Sequence, residues 1–143
     1  MIMRIADCSW IVGIVVWVLV ATASGPAFAG PKHASCDSVT SSSICIDYTG
    51  SYWQNREKEM RLNCSGPKSK FRAEHCPAEP WDTLLIGTCV FGMYKPFETM
   101  ARYYTTGGGG FDAPDFDFDW LRITCENTGS TWVWGPASGK GNP

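Results

Sequence analysis

The residues whose type and spacing come nearest to doing chemistry are acidic. Asp115, Asp117, Asp119 and Glu126 stand at positions 1, 3, 5 and 12 of a calcium-binding loop of the helix–loop–helix kind. Such a loop needs glycine at position 6, where the chain turns sharply, and here Trp120 occupies it. Phe116 and Phe118 crowd the places between the carboxylates. The run therefore reads as acids opening a helix, where the positive end of the dipole favours them, and no metal or other cofactor is expected.

Other near-matches fail on similar grounds. Ser65-Gly-Pro-Lys68 has the Ser-x-x-Lys spacing of penicillin-binding enzymes, but their Ser-Asp-Asn and Lys-Thr-Gly companions are absent and Ser65 falls where a helix should end. Gly135-Pro-Ala-Ser-Gly-Lys140 is one residue short of a phosphate loop and lacks the hydroxyl residue and helix that should follow. His75 adjoins Cys76, yet a thiol and its base are brought together by geometry rather than adjacency. A pair of carboxylates could still serve a small hydrolase, which stands third among the functional readings.

What must position any site is a framework of disulfides. Beyond Cys8 the chain has Cys36, Cys45, Cys64, Cys76, Cys89 and Cys125. Their gaps are long, without the Cys-x-x-Cys pairs typical of zinc sites, and the only histidines are His33 and His75. An even set in a small exported chain reads as three bridges, with fifteen possible pairings left open. Export itself is read from the N-terminus. Arg4 precedes an apolar run, Trp10 to Val20, that is roughly half the ~20 residues a membrane-crossing helix needs. Pro26 and Ala27-Phe28-Ala29 then supply a helix break and a small-residue cleavage site, so the mature chain is expected to start at Gly30. Residues 1–29 are the expected signal peptide, and the product is expected outside the cytoplasm, secreted or periplasmic, with no membrane attachment after cleavage.

Net charge is −2, which gives no basic surface for nucleic acid. The charges are unevenly placed, however. Arg56, Lys58, Arg61, Lys68, Lys70 and Arg72 crowd one stretch, and Asp112, Asp115, Asp117 and Asp119 another. These read as solvated faces or as electrostatic partners for another protein or a neighbouring copy.

Periodicity supplies the elements. Residues 30–43 are polar and Ser-rich and read as a flexible leader. Ile44, Ile46 and Tyr48 alternate as on a half-buried strand. Ser51 and Gln54 have the form of a capping box, opening a helix to Cys64 with Trp53 and Met60 on its inner side and a Glu57–Arg61 pair outside. A short strand is expected within Lys68 to His75, and a loop from Pro77 to Trp81. Thr83 to Phe91 and Glu98 to Thr106 flank Gly92-Met-Tyr-Lys-Pro-Phe97 and predict a hairpin. Four glycines, Gly107 to Gly110, hold no regular element. A second helix is expected from a cap at Asp112, with Phe116, Trp120 and Ile123 on one face. Thr131 to Trp134 returns as a strand, and 135–143 is a loose tail.

Ile44-Cys45-Ile-Asp-Tyr-Thr-Gly50, Gly87-Thr-Cys-Val-Phe91, Arg102-Tyr-Tyr104 and Cys125-Glu-Asn-Thr-Gly-Ser-Thr-Trp132 resemble the pattern of a family of small exported, cysteine-rich bacterial proteins. That pattern runs from a Cys through a Gly-Thr-Cys strand and a Tyr-Tyr strand to a Cys followed by Gly-x-Thr-Trp. The resemblance spans Ile44 to Trp134. It implies export and a small disulfide-bonded fold, and it brings no activity or ligand. Cys36 and the acidic stretch Asp115 to Asp119 depart from it.

The expected fold is α+β: a mainly antiparallel sheet of about five short strands over 44–134, two short helices on one face, and three disulfides. Aromatic side chains, Trp132 and Trp134 above all, are first of all core, with an exposed pair suiting carbohydrate or protein contact. The leading functional reading is an exported, non-catalytic domain that binds a protein or surface polymer. The alternative is a secreted inhibitor or effector acting through a rigid loop such as Cys76 to Trp81.

Overall fold

The Ile44–Tyr48 alternation marks the middle of a sheet, and the chain folds around it. The computed structural model describes residues 33–77 and 81–140. Six strands form one antiparallel sheet: β1 (Ala34–Asp37), β2 (Ile44–Tyr48), β3 (Lys70–Arg72), β4 (Leu85–Phe91), β5 (Thr99–Tyr104) and β6 (Thr131–Trp134). Their spatial order is β3-β1-β2-β5-β4-β6. The helices are a single turn, α1 (Val39–Ser42), then α2 (Glu57–Asn63) and α3 (Phe118–Glu126). The expected α+β class holds, with one more strand and one more helical turn. The expected signal peptide over 1–29 lies outside the described residues.

One row of residues explains how the layers are joined. Cys36, Ile46, Ala101, Cys89 and Trp132 are successive partners across five strands, so their side chains leave the same face of the sheet. Cys36 bonds Cys64 at the end of α2, and Cys89 bonds Cys125 in α3. Both longer helices are thus fastened to this face. Met60 of α2 packs with Ala34, Cys36 and Tyr48, whereas Leu121 and Cys125 of α3 pack with Ile86, Ala101 and Trp132.

The opposite face has its own cover. Cys45 bonds Cys76, which holds the segment after β3 against β2 and β5. Cys45 and Asp47 are for this reason fully buried, while Ile44 and Ile46 are only half-buried. Alternation found the strand but not its more deeply covered side.

Four local expectations are corrected. Residues 34–43, read as part of a flexible leader, form β1 and α1, because β1 is clasped between β2 and β3 and its short side chains Ala34, Ser35 and Cys36 fit beneath the covers. The single helix from Ser51 to Cys64 is a 3-10 segment, Ser51–Asn55, followed by α2. Ser51 caps nothing, although the Glu57–Arg61 pair forms at 2.7 Å. The last helix is capped by Asp117 rather than Asp112, its side chain accepting from the N–H of Asp119 at 2.9 Å. Leu121 and Cys125 point inward, and Trp120 and Ile123 stand exposed. Finally, residues 135–140 of the expected tail turn back along β4, where the Gly135 N–H donates to the Ile86 carbonyl at 2.7 Å.

Glycine decides one packing contact. Gly107, at φ +103°, runs so close to α1 that a Cβ there would lie 1.9 Å from the Val39 carbonyl oxygen. The serines that follow are part of the same arrangement, since Ser43 Oγ accepts from the Gly109 N–H at 2.8 Å.

Candidate functional site

The hairpin between β4 and β5 extends beyond the sheet as residues 92–98. Two successive turns shape it, with the Lys95 N–H donating to the Gly92 carbonyl and the Glu98 N–H to the Lys95 carbonyl. Gly92 has φ +60°, and a Cβ on it would lie 2.4 Å from the Phe97 ring. The glycine lets Phe97 fold back across the turn.

Tyr94 is the unusual member. Its φ is +61°, a left-handed backbone that costs a residue with a side chain about 1–2 kcal/mol. Its side chain is 91% exposed, so no internal packing offsets that cost. The conformation is held from below. The Glu98 carboxylate accepts the Tyr94 N–H at 2.7 Å through Oε2 and the Thr49 hydroxyl at 3.0 Å through Oε1.

A second segment braces the tip. The N–H groups of Thr49 and Gly50 donate to the Glu98 carbonyl, and that of Tyr52 to the Pro96 carbonyl. The Trp53 indole donates to the Phe97 carbonyl at 3.3 Å. Gly50 is required here, because a Cβ would sit 1.9 Å from the Pro96 oxygen. Tyr52 packs edge-on against Trp53, and the Arg56 guanidinium lies 4.0 Å over its ring. Tyr94, Phe97 and Tyr52 are all exposed, with Lys95, Glu98, Arg56 and Glu59 around them. Rigid aromatic side chains with an arginine make the strongest single contributions in protein interfaces. Sequence reasoning placed the hairpin but missed Tyr94, whose left-handed backbone sits within the Gly92–Lys95 turn and is held there by Glu98.

The candidates named from sequence lie elsewhere. All six cysteines are paired, as Cys36–Cys64, Cys45–Cys76 and Cys89–Cys125. Asp115, Asp117, Asp119 and Glu126 do not wrap a common point, because Phe118–Glu126 is helix. Arg122 pairs with both Asp119 and Glu126, and Lys140 with Asp119. The hydrogen bond from Lys140 holds the Asp119 carboxyl below the ordinary aspartate range, with Arg122 adding to it. Ser65 and Lys68 lie in the turn after α2, and Lys140 sits 4.6 Å over the Trp134 ring. Trp132 is buried and Trp134 half-buried, so the pair is not an open stacking platform. Of the loop Cys76 to Trp81, residues 78–80 lie outside the described residues.

One titratable cluster escaped the sequence reading. Asp47 Oδ1 accepts the Cys76 N–H at 2.5 Å and lies 3.6 Å from His75 Nδ1, while its Oδ2 lies 2.8 Å from Arg102 Nε. His75 stacks against His33 with ring centroids 4.2 Å apart. Ser35, directly across the ladder from Asp47, is wholly buried. It therefore offers no hydroxyl to a substrate, and the cluster reads as the fastening of a cover. No helix among the described residues is long and apolar enough to cross a membrane. Three disulfides are the mark of a chain that folds where thiols oxidise. Compared with known proteins, the chain matches no family model, no curated protein and no solved structure.

Proposed function

We propose that this chain is an exported, non-catalytic module that binds a protein through the tip of its β4–β5 hairpin. The observation that carries the reading is Tyr94, an almost fully exposed aromatic side chain held by Glu98 in a backbone conformation that earns nothing within the chain. Backbone outliers held by their surroundings cluster at functional positions. A braced tip loses little conformational freedom on binding, which favours affinity. A rigid projecting hairpin also suits an inhibitor that enters another protein's cleft, and the same surface would serve.

The test is a photo-crosslinking residue placed at position 94, and separately at Val133, exposed on the edge strand β6, in the producing cell. A discrete adduct from 94 and none from 133 supports the reading, and Glu98→Ala should weaken it by freeing the turn. Equal labelling at both positions, or none at either, removes it.

A further inference from the structure

The basic and acidic runs remain outside that reading, and the fold sends them to opposite ends of the molecule. Residues 56–72 contain six basic groups and two acidic ones, Glu57 and Glu59, a surplus of four positive charges. They lie on α2, the turn after it, and β3, which is one edge of the sheet. Residues 112–126 contain five acidic groups and one basic, Arg122, a surplus of four negative charges. They lie on α3 and the loop before it, against β4 and the other edge strand, β6. Among the described residues, Lys58, Lys68 and Lys70 make no ion pair, and neither do Asp112, Asp115 or Asp117.

Each end also carries exposed apolar surface on the helix-covered face. At the basic end Leu62 is 64% exposed and borders a shallow hollow of about 400 Å³ with Glu57, Lys58 and Arg61. At the acidic end Trp120 is 57% exposed, with Ile123 exposed one turn further along α3. The two helices are fastened to β1 and β4, three strand gaps apart, about 14 Å at the usual spacing. The Leu62 hollow is lined by α2 residues alone, and Trp120 of the same chain does not border it.

We propose that Trp120 of one molecule docks in the Leu62 hollow of a second copy, with the acidic rim against the basic one. The contact is head-to-tail, so every docked pair keeps one free Trp120 and one free hollow and can grow into a chain or close into a ring. Apolar burial of Trp120 supplies the attraction. The exposed charges contribute little affinity each but fix orientation and speed encounter. The association is concentration-dependent and weakens as salt shortens the Debye length.

Sedimentation of the oxidised protein, as its cell delivers it, tests the proposal. The weight-average mass of the wild type should rise past two copies with concentration and fall back with added salt. Trp120→Ser and Leu62→Ser should each stay monomeric alone. Mixed in equal amounts they should form a two-copy complex and nothing larger, since one supplies the intact Trp120 and the other the intact hollow. That recovery also shows that both variants fold. Tyr94→Ala should assemble like the wild type, which separates this contact from the hairpin-tip surface. A wild type that is monomeric throughout, a Leu62→Ser variant that still associates, or a mixture that stays monomeric overturns the proposal.

Discussion

Arg102 Nε lies 2.8 Å from Oδ2 of Asp47, a carboxylate with no solvent exposure at all. The N–H does not point at the oxygen well enough for a hydrogen bond, so the contact is an ion pair. Removing one partner of a buried pair leaves an uncompensated charge, which costs about 3–5 kcal/mol. Arg102→Met is therefore expected to destabilise the protein by about that amount. Asp47→Asn should cost less, because its amide oxygen still accepts from Cys76 and Arg102 is part-exposed. Replacing both, as Asp47→Leu with Arg102→Met, should recover part of the loss. Urea unfolding of the three variants measures this, and equal losses for both single variants would contradict it.

The three bridges close spans of 28, 31 and 36 residues. Loop entropy grows only with the logarithm of the span, so each is worth about 4 kcal/mol on that basis, and differences must come from what each bridge fastens. Cys45–Cys76 holds the segment whose backbone Asp47 accepts. Replacing that pair with alanine is expected to be the most damaging, by thermal unfolding. Peptide mapping without reduction should recover the three linked pairs, and any other linkage would refute the topology.

Gly107→Ala brings a Cβ to 1.9 Å from the Val39 carbonyl at a positive φ. The clash and the backbone strain together should cost about 2–3 kcal/mol. Gly129 also has positive φ, +75°, but nothing lies within 4 Å of its missing Cβ, so Gly129→Ala should cost only the backbone strain, about 1–2 kcal/mol. Equal effects in denaturant unfolding would mean that the closeness of Gly107 to α1 does not matter.

Burial pushes the Tyr104 hydroxyl up to about 12, with Arg102 opposing the shift and Asp47, Asp82 and Asp37 adding to it. In the unfolded chain a tyrosine ionises near pH ~10. The neutral form thus favours the fold: its contribution is complete below pH ~10 and disappears as pH rises through the folded value. Burial moves Tyr48 and Tyr103 in the same direction. Stability followed by tryptophan fluorescence should fall above pH ~10, and less steeply in Tyr104→Phe, which has no proton to lose. An unchanged slope would remove Tyr104 from the account.

Much of this fold is legible where contacts are local. The strand period of Ile44–Tyr48, the hairpin around Gly92, the Glu57–Arg61 pair and the return strand Thr131–Trp134 need only neighbours in sequence. What was hidden depends on distant partners. Ala34 to Asp37 has no strand signature of its own and is strand because β2 and β3 flank it. Asp47 reads as an exposed polar position until Cys76 and Arg102 come to it. By residue type Asp112 and Asp117 are equal as caps, so the start of α3 at Asp117 is not legible from sequence. The stretch before the true cap is held by Phe111 against Tyr103 and Phe116 instead of by helical hydrogen bonds. The candidate site was legible only as a turn, since Tyr94 acquires its backbone from Glu98 and from Thr49, on the segment that braces it.

The bridges Cys36–Cys64 and Cys45–Cys76 interleave along the chain, whereas Cys89–Cys125 stands apart. Among the six bridged cysteines, synthesis delivers Cys36 and Cys45 before Cys64, so an oxidant acting on these six in order of arrival joins Cys36 to Cys45 and Cys64 to Cys76. Both bonds are wrong, and both must be exchanged through thiolate attack before the sheet can close. After oxidation in that order, native pairing takes disulfide exchange as well as oxidation. A host lacking an isomerase should accumulate a species whose Cys89–Cys125 bridge is already native while Cys36, Cys45, Cys64 and Cys76 are mispaired.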